Sequence, residues 1–305
     1  MHIYGPVPSR RLGFSLGIDI IPYKTCTLNC IYCQLGLTTK KTIKRKEYFS
    51  RKKIISQIKD VLSSEQRIDY ITFSGSGEPT LNSSIGKLIR EIKKITSIPV
   101  SVLTNSSLLS RKNVRKDLLA ADLVVPSLDA VTQEVFIKTN RPHPSLKAEE
   151  IMEGLKEFHL EFKGKIWLEI MLVKGINDSS SHIVKLKKTI SDIKPDRIQL
   201  NTVIRPPAEK SARALSLREL EKIKDILGDR CEIIAEFDKK EQIPSSKNLE
   251  DVILFMIRRR PVTLSDISVS LGKHQNEIIK YLNFLLKEGK IKYVVHKGLK
   301  YYEPI

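Results

Sequence analysis

The sequence is poor in cysteine, in aromatic residues and in acid. Four cysteines in 305 residues are too few for a disulfide framework, and three of the four sit in one eight-residue string. Aromatic residues make up 6% of the chain, with a single tryptophan, so the core has to be aliphatic; 41% apolar content is ample for one. No apolar run approaches the roughly 18–20 residues that cross a bilayer, so no membrane contact is expected. The N-terminal string M-H-I-Y-G-P-V-P-S-R-R holds no apolar stretch of leader type, and the expectation is a cytoplasmic protein. Acid is outnumbered: 35 Asp and Glu face 53 Lys and Arg, a formal charge of +18. Such a surplus favours polyanionic partners, nucleic acid above all. Lysines spread over solvated helix faces account for it equally well.

What is present begins with Cys26, Cys30 and Cys33 in C-T-L-N-C-I-Y-C. A [4Fe–4S] electron carrier uses four cysteines per cluster. Three thiolates leave one iron without a protein ligand, open to a substrate or cosubstrate as catalytic metal sites are. The competing reading is a zinc knob completed by a distant His or by Cys231. Structural zinc usually arrives as paired CxxC or CxxH half-sites, and no second half-site exists. Cys231, in the apolar run C-E-I-I-A-E-F, reads as a buried, unreactive thiol.

With Tyr32 just before its last cysteine, this string resembles the cluster loop of the radical S-adenosylmethionine superfamily. The resemblance implies a [4Fe–4S] cluster whose open iron chelates the amino and carboxylate groups of S-adenosylmethionine. It also implies an external electron donor of flavodoxin or ferredoxin type. One electron then splits a carbon–sulfur bond, giving methionine and a 5′-deoxyadenosyl radical that takes hydrogen from substrate. The string F-S-G-S-G-E-P-T-L supports it. Gly75 and Gly77 allow close backbone approach, and Gly75, Ser76, Gly77, Glu78 and Pro79 resemble the family's Gly-Gly-Glu-Pro loop, with Ser76 in place of the first Gly. That loop binds the methionine amino group through its backbone. Asn105, Ser127 and Asp129, at the ends of later strands, are then expected contacts to the ribose hydroxyls and the methionine carboxylate, with Glu169, Met171, Asn201 and Val203 bordering the adenine. Each also reads as a turn residue satisfying its own backbone.

Short apolar runs at 16–23, 70–74, 100–104, 123–127, 166–173, 197–203 and 231–237 read as strands. Helix-period segments at 53–62, 85–95, 149–158, 182–193 and 217–227 lie between them. That alternation predicts an α/β fold of βαβ units around a parallel sheet. The resemblance narrows it to an incomplete (βα)6 barrel over residues 1–241, with chemistry at the C-terminal ends of the strands. Q-I-P-S-S-K at 242–247 reads as a linker. Beyond it, residues 248–305 give a helix at 248–258, a short helix ending at Gly272, a helix at 274–286 and a hairpin from strands at 290–295 and 298–302. This order resembles a winged helix-turn-helix, whose third helix, with Lys273, His274, Gln275, Asn276 and Lys280, would read DNA, grip RNA or dock a protein.

Three further strings belong to the substrate side or to packing. N-R-P-H-P offers Arg141 and His143, and R-P-P-A-E offers Arg205, for an anionic substrate or a phosphate. The N-terminal G-P-V-P-S-R-R-L-G places paired arginines before the first strand, near cluster or substrate. Residues 40–53 hold eight basic residues and one acid, either a basic rim beside the cluster loop or a solvated loop. Y-G-P-V-P-S-R-R-L-G, the cluster loop followed by Gln34-Leu35-Gly36, N-R-P-H-P, R-P-P-A-E and the tail together resemble, over nearly the whole length, a radical S-adenosylmethionine group with a C-terminal winged helix. That group is loosely labelled wyosine-type tRNA-modifying or iron–sulfur oxidoreductase proteins, and the resemblance brings fold and cofactors but no substrate. The leading expectation is a radical enzyme acting on tRNA or other RNA. A protein-directed activase or peptide-modifying enzyme is the alternative. A redox-sensing, DNA-binding regulator is the non-enzymatic one, which needs neither the Gly75–Pro79 loop nor a full set of βα units. No catalytic acid, base or radical quencher is identifiable.

Overall fold

The computed structural model describes residues 2–9, 11–63, 66–235, 249–273 and 275–305. The expected linker, Arg10 and His274 lie outside them. The strands of the larger part are β1 (Ile3–Ser9), β2 (Gly13–Ile18), β3 (Thr25–Cys26), β4 (Lys40–Lys41), β5 (Tyr70–Phe73), β6 (Val100–Thr104), β7 (Leu123–Pro126), β8 (Lys165–Leu172), β9 (Arg197–Thr202) and β10 (Cys231–Ile233). Its helices are α1 (Arg51–Leu62), α2 (Ile85–Ile95), α3 (Lys112–Leu118), α4 (Gln133–Asn140), α5 (Ala148–Glu161), α6 (Ser180–Ile193) and α7 (Leu217–Leu227). One sheet runs in the order β1-β2-β5-β6-β7-β8-β9-β10. It is parallel from β2 onward, and β1 is antiparallel to β2. No pairing joins β1 to β10 among the described residues, so the sheet stays open.

Period-two alternation separates the two faces of each strand. Leu16 and Ile18, Ile71 and Phe73, Val100 and Val102, Leu168 and Ile170 pack with helix residues such as Ile58, Ile89, Leu155 and Leu186 in one large aliphatic core. The opposite face has only a small apolar layer of Leu12, Leu123, Val125 and Trp167. The rest of that face is polar. Ser15, Thr72 and Ser101 form a hydroxyl chain at 2.7 and 2.8 Å. Arg11 pairs with Glu169 at 3.0 Å and donates to Gln199 at 3.2 Å. A guanidinium from the β1–β2 turn thus reaches β8 and β9 and ties distant strands of an open sheet.

Five elements depart from the sequence expectation. Strand β1 falls in a stretch rich in Gly and Pro; proline lacks an N–H and is tolerated only at sheet edges and bulges, and β1 is an edge strand with a register shift between Tyr4 and Val7. The first parallel strand, expected at 16–23, runs Gly13–Ile18 and stops before Pro22 and the left-handed Lys24 (φ +55°). Helices α3 and α4 were not anticipated; with 7 and 8 residues they are too short to show a period. The strand expected at 231–237 is observed over Cys231–Ile233, and its last two positions fall outside the described residues. Cys231 is buried, and burial pushes its thiol up to about 12.

The C-terminal part contains α8 (Leu249–Arg259), β11 (Val262–Thr263), α9 (Leu264–Leu271), α10 (Gln275–Lys287), β12 (Ile291–His296) and β13 (Leu299–Pro304), with sheet order β11-β13-β12. Thr263 and Asp266 form a capping box at the start of α9, and Gly272 ends it at φ +58°. Ile253, Ile257, Ile267, Ile278, Leu282 and Leu285 form its own core, against which Val7 of β1 packs. This unit touches both flanks of the open sheet. On one side Arg259 meets Asp19 at 2.6 Å and stacks on Tyr4 at 4.3 Å. On the other, the Tyr301 hydroxyl donates to the Ile204 carbonyl at 3.0 Å and Lys297 Nζ to the Val203 carbonyl at 3.3 Å. No described helix is long and apolar enough to cross a membrane.

The Arg11–Glu169 tie is testable. Arg11→Met strands a buried carboxylate and is expected to cost about 3–5 kcal/mol of stability in denaturant unfolding. Arg11→Met/Glu169→Met should lose clearly less than the single variant. A single variant as stable as wild type would show that the pair does not hold the sheet.

Candidate cofactor site

The chain leaves β2 at Ile18 and returns along the C-terminal edge of the sheet. There β3 and β4 pair, setting Thr25 beside Lys40 and Cys26 beside Lys41. The loop that follows is held from α4: Asn29 N–H donates to the Asn140 carbonyl at 2.9 Å and Ile31 N–H to the Thr139 carbonyl at 3.0 Å. Cys33 and Gly36 close successive turns through N–H bonds to Cys30 and Cys33 carbonyls, both 3.1 Å. Cys26, Cys30 and Cys33 are free thiols lining one cavity of about 420 Å³.

This donor set fits a cluster. The Asn105 amide donates to Cys26 Sγ at 3.4 Å and the Asn140 amide to Cys30 Sγ at 3.3 Å, the kind of outer contact that orients and tunes metal thiolates. Burial, then the Glu78 charge, pushes the Cys26 thiol up to about 12, and burial raises Cys30 and Cys33 too. Thiolates here therefore need a cation to stabilise them. No three His, Cys, Asp or Glu among the described residues gather around a single-ion position; a cubane instead takes each cysteine on a different iron.

The loop after β5 is packed tightly against the cysteine loop. A Cβ at Gly77 would lie 1.8 Å from the Thr25 carbonyl oxygen, and Gly75, at φ +142°, faces Asp19 and Arg259. Both glycines are required by protein neighbours as well as by any ligand. Ser76 Oγ donates to Asp19 at 2.5 Å. The buried Glu78 carboxylate accepts from Thr80 N–H at 3.0 Å, Thr80 Oγ1 at 2.6 Å, Thr104 Oγ1 at 2.7 Å and Asn105 N–H at 2.7 Å. Burial raises its pKa against those bonds. Glu78 therefore binds protein, and Pro79 opens a single 3-10 turn over Pro79–Leu81.

Asn105 and Ser127 line the cavity, as does Met171; Asp129 does not. Its carboxylate accepts from the Tyr32 hydroxyl, from Asn140 Nδ2 at 2.7 Å and from Met171 N–H at 2.9 Å. Burial lifts its pKa to about 6. Asp129 holds the cysteine loop, α4 and β8 together. Asn201 Nδ2 donates to Glu169 at 3.0 Å, and Glu169 is engaged with Arg11. Arg141 pairs with Glu209 at 2.7 Å and His143 shares a hydrogen bond with Ser145, and neither reaches the cavity. Arg205 does reach it, and is buried.

The structure adds residues that were not singled out. Asn140 opens the N-R-P-H-P string, yet a lone Asn there gives no sign of a sulfur contact. Met256, Arg259, Asp266 and Ser270 line the cavity from the C-terminal part; no sequence signal could place them there, because docking decides it. Of the basic stretch, Lys40, Lys44 and Lys46 are exposed beside the cysteine loop, while Arg45 is bound to Asp117 at 2.5 Å.

Residues 20–186 match the model of the Radical SAM superfamily. The chain is 35% identical to the UPF0026 protein of Methanocaldococcus jannaschii, across 98% of this chain and 94% of that one. It is 42% identical to a Brachyspira hyodysenteriae protein named GTPase Obg, over 99% of this chain but only 45% of that relative's length. The dual-specificity RNA methyltransferase RlmN of Campylobacter jejuni is 25% identical over 216 residues, 67% of this chain and 58% of that one. A solved radical SAM methyltransferase from Sphaerobacter thermophilus matches with a TM-score of 0.54 at 16% identity, over 72% of this chain and 65% of that one, a likeness of fold. With the cysteine loop and its cavity in place, the chain belongs to the radical S-adenosylmethionine superfamily and, within it, to the UPF0026 proteins, and is an enzyme whose cofactors are a [4Fe–4S] cluster and S-adenosylmethionine.

Proposed function

We propose that the protein cleaves S-adenosylmethionine reductively, in the cytoplasm, at the cavity on the C-terminal edge of an incomplete (βα)6 barrel, and uses the radical on an RNA substrate. The observation that carries the chemistry is the shared wall of Cys26, Cys30 and Cys33 beside the Gly75–Glu78 backbone and Asn105. When bound, the cluster supplies the electron that splits the cofactor into methionine and a 5′-deoxyadenosyl radical. The cysteines hold it, Asn105 and Asn140 donate to two of their sulfurs, and Asp129 fixes Tyr32 and Asn140 so that the loop keeps its shape. Gly75, Ser76 and Gly77 give the cofactor a main-chain surface, with Asn105 and Ser127 beside it. Met256 and Arg259, on the C-terminal part, cover the cavity and limit water. An external donor protein delivers the electron.

RNA is favoured by three features. Lys40, Lys44 and Lys46 form an exposed basic rim next to the cluster loop. The C-terminal part has the element order of a winged helix, with Gln275, Asn276 and Lys280 exposed on α10. One relative is an RNA methyltransferase. A polypeptide substrate is the second reading, favoured by the exposed Ile279 and Phe284 on α10.

Anaerobically reconstituted protein, given dithionite and S-adenosylmethionine, should release 5′-deoxyadenosine, and Cys30→Ala should release none above background. A fully loaded wild type that releases none, even with cell extract added, would sink the radical chemistry. For RNA, affinity for bulk tRNA should fall steeply with salt. Lys40→Ala/Lys44→Ala/Lys46→Ala should flatten the log–log slope by about 2–3, since each lost phosphate contact removes roughly 0.7–0.9. An unchanged slope would remove the rim from the RNA path, and a co-purifying polypeptide in place of RNA would favour the second reading.

A further inference from the structure

Arg205 is a buried and poorly satisfied charge on the cavity wall. It follows β9 and is held between the Thr202–Ile204 turn and Pro206–Pro207, with Ile204 N–H donating to the Thr202 carbonyl at 2.9 Å. Its side chain is only 8% exposed. Two of its guanidinium nitrogens, Nε and Nη1, have no hydrogen-bond partner. The third, Nη2, stands 3.8 Å from Asp266 Oδ2, beyond hydrogen-bonding distance. That oxygen already accepts from Thr263 N–H at 3.0 Å in the α9 cap. A guanidinium cannot shed its charge, so a desolvated one with free donors is costly unless an acceptor meets it. Other largely buried arginines have an acid much closer: Arg11 has Glu169, Arg45 has Asp117, Arg115 has Glu157 and Glu161, and Arg259, whose Nη1 also lacks a hydrogen bond of good geometry, has Asp19 at 2.6 Å.

Arg205 opens onto the same cavity as the three cysteines, and its planar fork suits a two-oxygen acceptor. We infer that Arg205 is the anchor for an oxyanion of the substrate, a phosphate or a carboxylate, held beside the cofactor. The C-terminal part completes this site, because Asp266 and Ser270 share its wall. The inference rests on the radical reading above and narrows its substrate to molecules that place such a group inside the cavity. An RNA would do so with the phosphate of an extruded nucleotide, which is also how enzymes reach a base for chemistry. Asp266 lies near Nη2, the nitrogen shared by both two-donor edges of the guanidinium, so the acceptor meets the unpartnered Nε or Nη1 on the edge turned away from that carboxylate.

The test is calorimetric titration of sodium phosphate and, separately, sodium acetate into the reconstituted full chain at constant ionic strength. Wild type should bind at least one of them saturably, and Arg205→Gln should bind about 10-fold or more weakly. Arg205→Lys, which keeps the charge but not the fork, should fall between. Preference for phosphate points to a phosphorylated substrate or RNA, and preference for acetate to a carboxylate substrate. No saturable binding by wild type, or Arg205→Gln binding as wild type with an unchanged melting curve, overturns the inference. So does phosphate competing with S-adenosylmethionine while Arg205→Gln loses both alike, for then the arginine holds the cofactor's carboxylate. Anion binding with no 5′-deoxyadenosine from wild type would instead fail the radical chemistry and leave the anion site standing.

Discussion

Two buried carboxylates hold the open end of this sheet. Glu78 gathers four donors from the turn after itself and from the end of β6. Asp129 gathers the cysteine loop through Tyr32, α4 through Asn140 and β8 through Met171. Strand ends are where a parallel sheet has free backbone and no regular ladder, and these side chains supply the missing order. Neither carboxylate needs to touch the cofactor to matter. Asp129 accepts from the Asn140 amide that also donates to Cys30 Sγ, and Glu78 fixes the main chain of Asn105, whose side-chain amide donates to Cys26 Sγ. Charge-assisted bonds inside a low-dielectric site are strong and directional, which suits a loop whose three thiols have to face one space.

The second constraint is the openness of the sheet. A closed barrel fills its interior with layers of side chains. Here one apolar layer is followed by polar groups, and the cavity lies beyond them. Arg11 bridges the interior, and the C-terminal part bridges the mouth from Asp19 to the segment after β9. Cover of this kind makes the C-terminal part a wall of the site. Two units with separate cores thus meet over the cavity, through polar contacts at Arg259, Lys297 and Tyr301.

Most of the architecture was legible because aliphatic runs and helix periods repeat in strict alternation. The cysteine loop was legible from its spacing, and the Gly75–Pro79 loop from its resemblance to a family loop and its place after the cysteines. Illegible features share a cause, which is that their meaning depends on partners far away in sequence. Strand β1 hides behind its glycine and prolines and is fixed only by pairing with β2. Asp129 looked like a cofactor contact because it ends a strand, yet its donors come from positions 32, 140 and 171. Arg141 and Arg205 sit in similar proline-pinned strings; one meets Glu209 at 2.7 Å and the other has Asp266 no nearer than 3.8 Å, and no local pattern separates them.

The charge surplus divides in the same way. Its arginines at 11, 45, 115 and 259 are drawn inward, where the planar fork can satisfy several acceptors at once. The lysines at 40, 44 and 46 stay outside as hydrated point charges. The formal +18 already subtracts every acid, so these pairs leave the surplus unchanged; they contribute cohesion and leave much of the exposed positive charge to lysine. What a distant polyanion meets is chiefly lysine, whose attraction is screened within about a Debye length of 8 Å at physiological salt. A long-range field of that kind gathers a substrate without selecting it. Selection has to occur at short range, in the cavity, where Arg205 presents two guanidinium nitrogens without a hydrogen-bond partner.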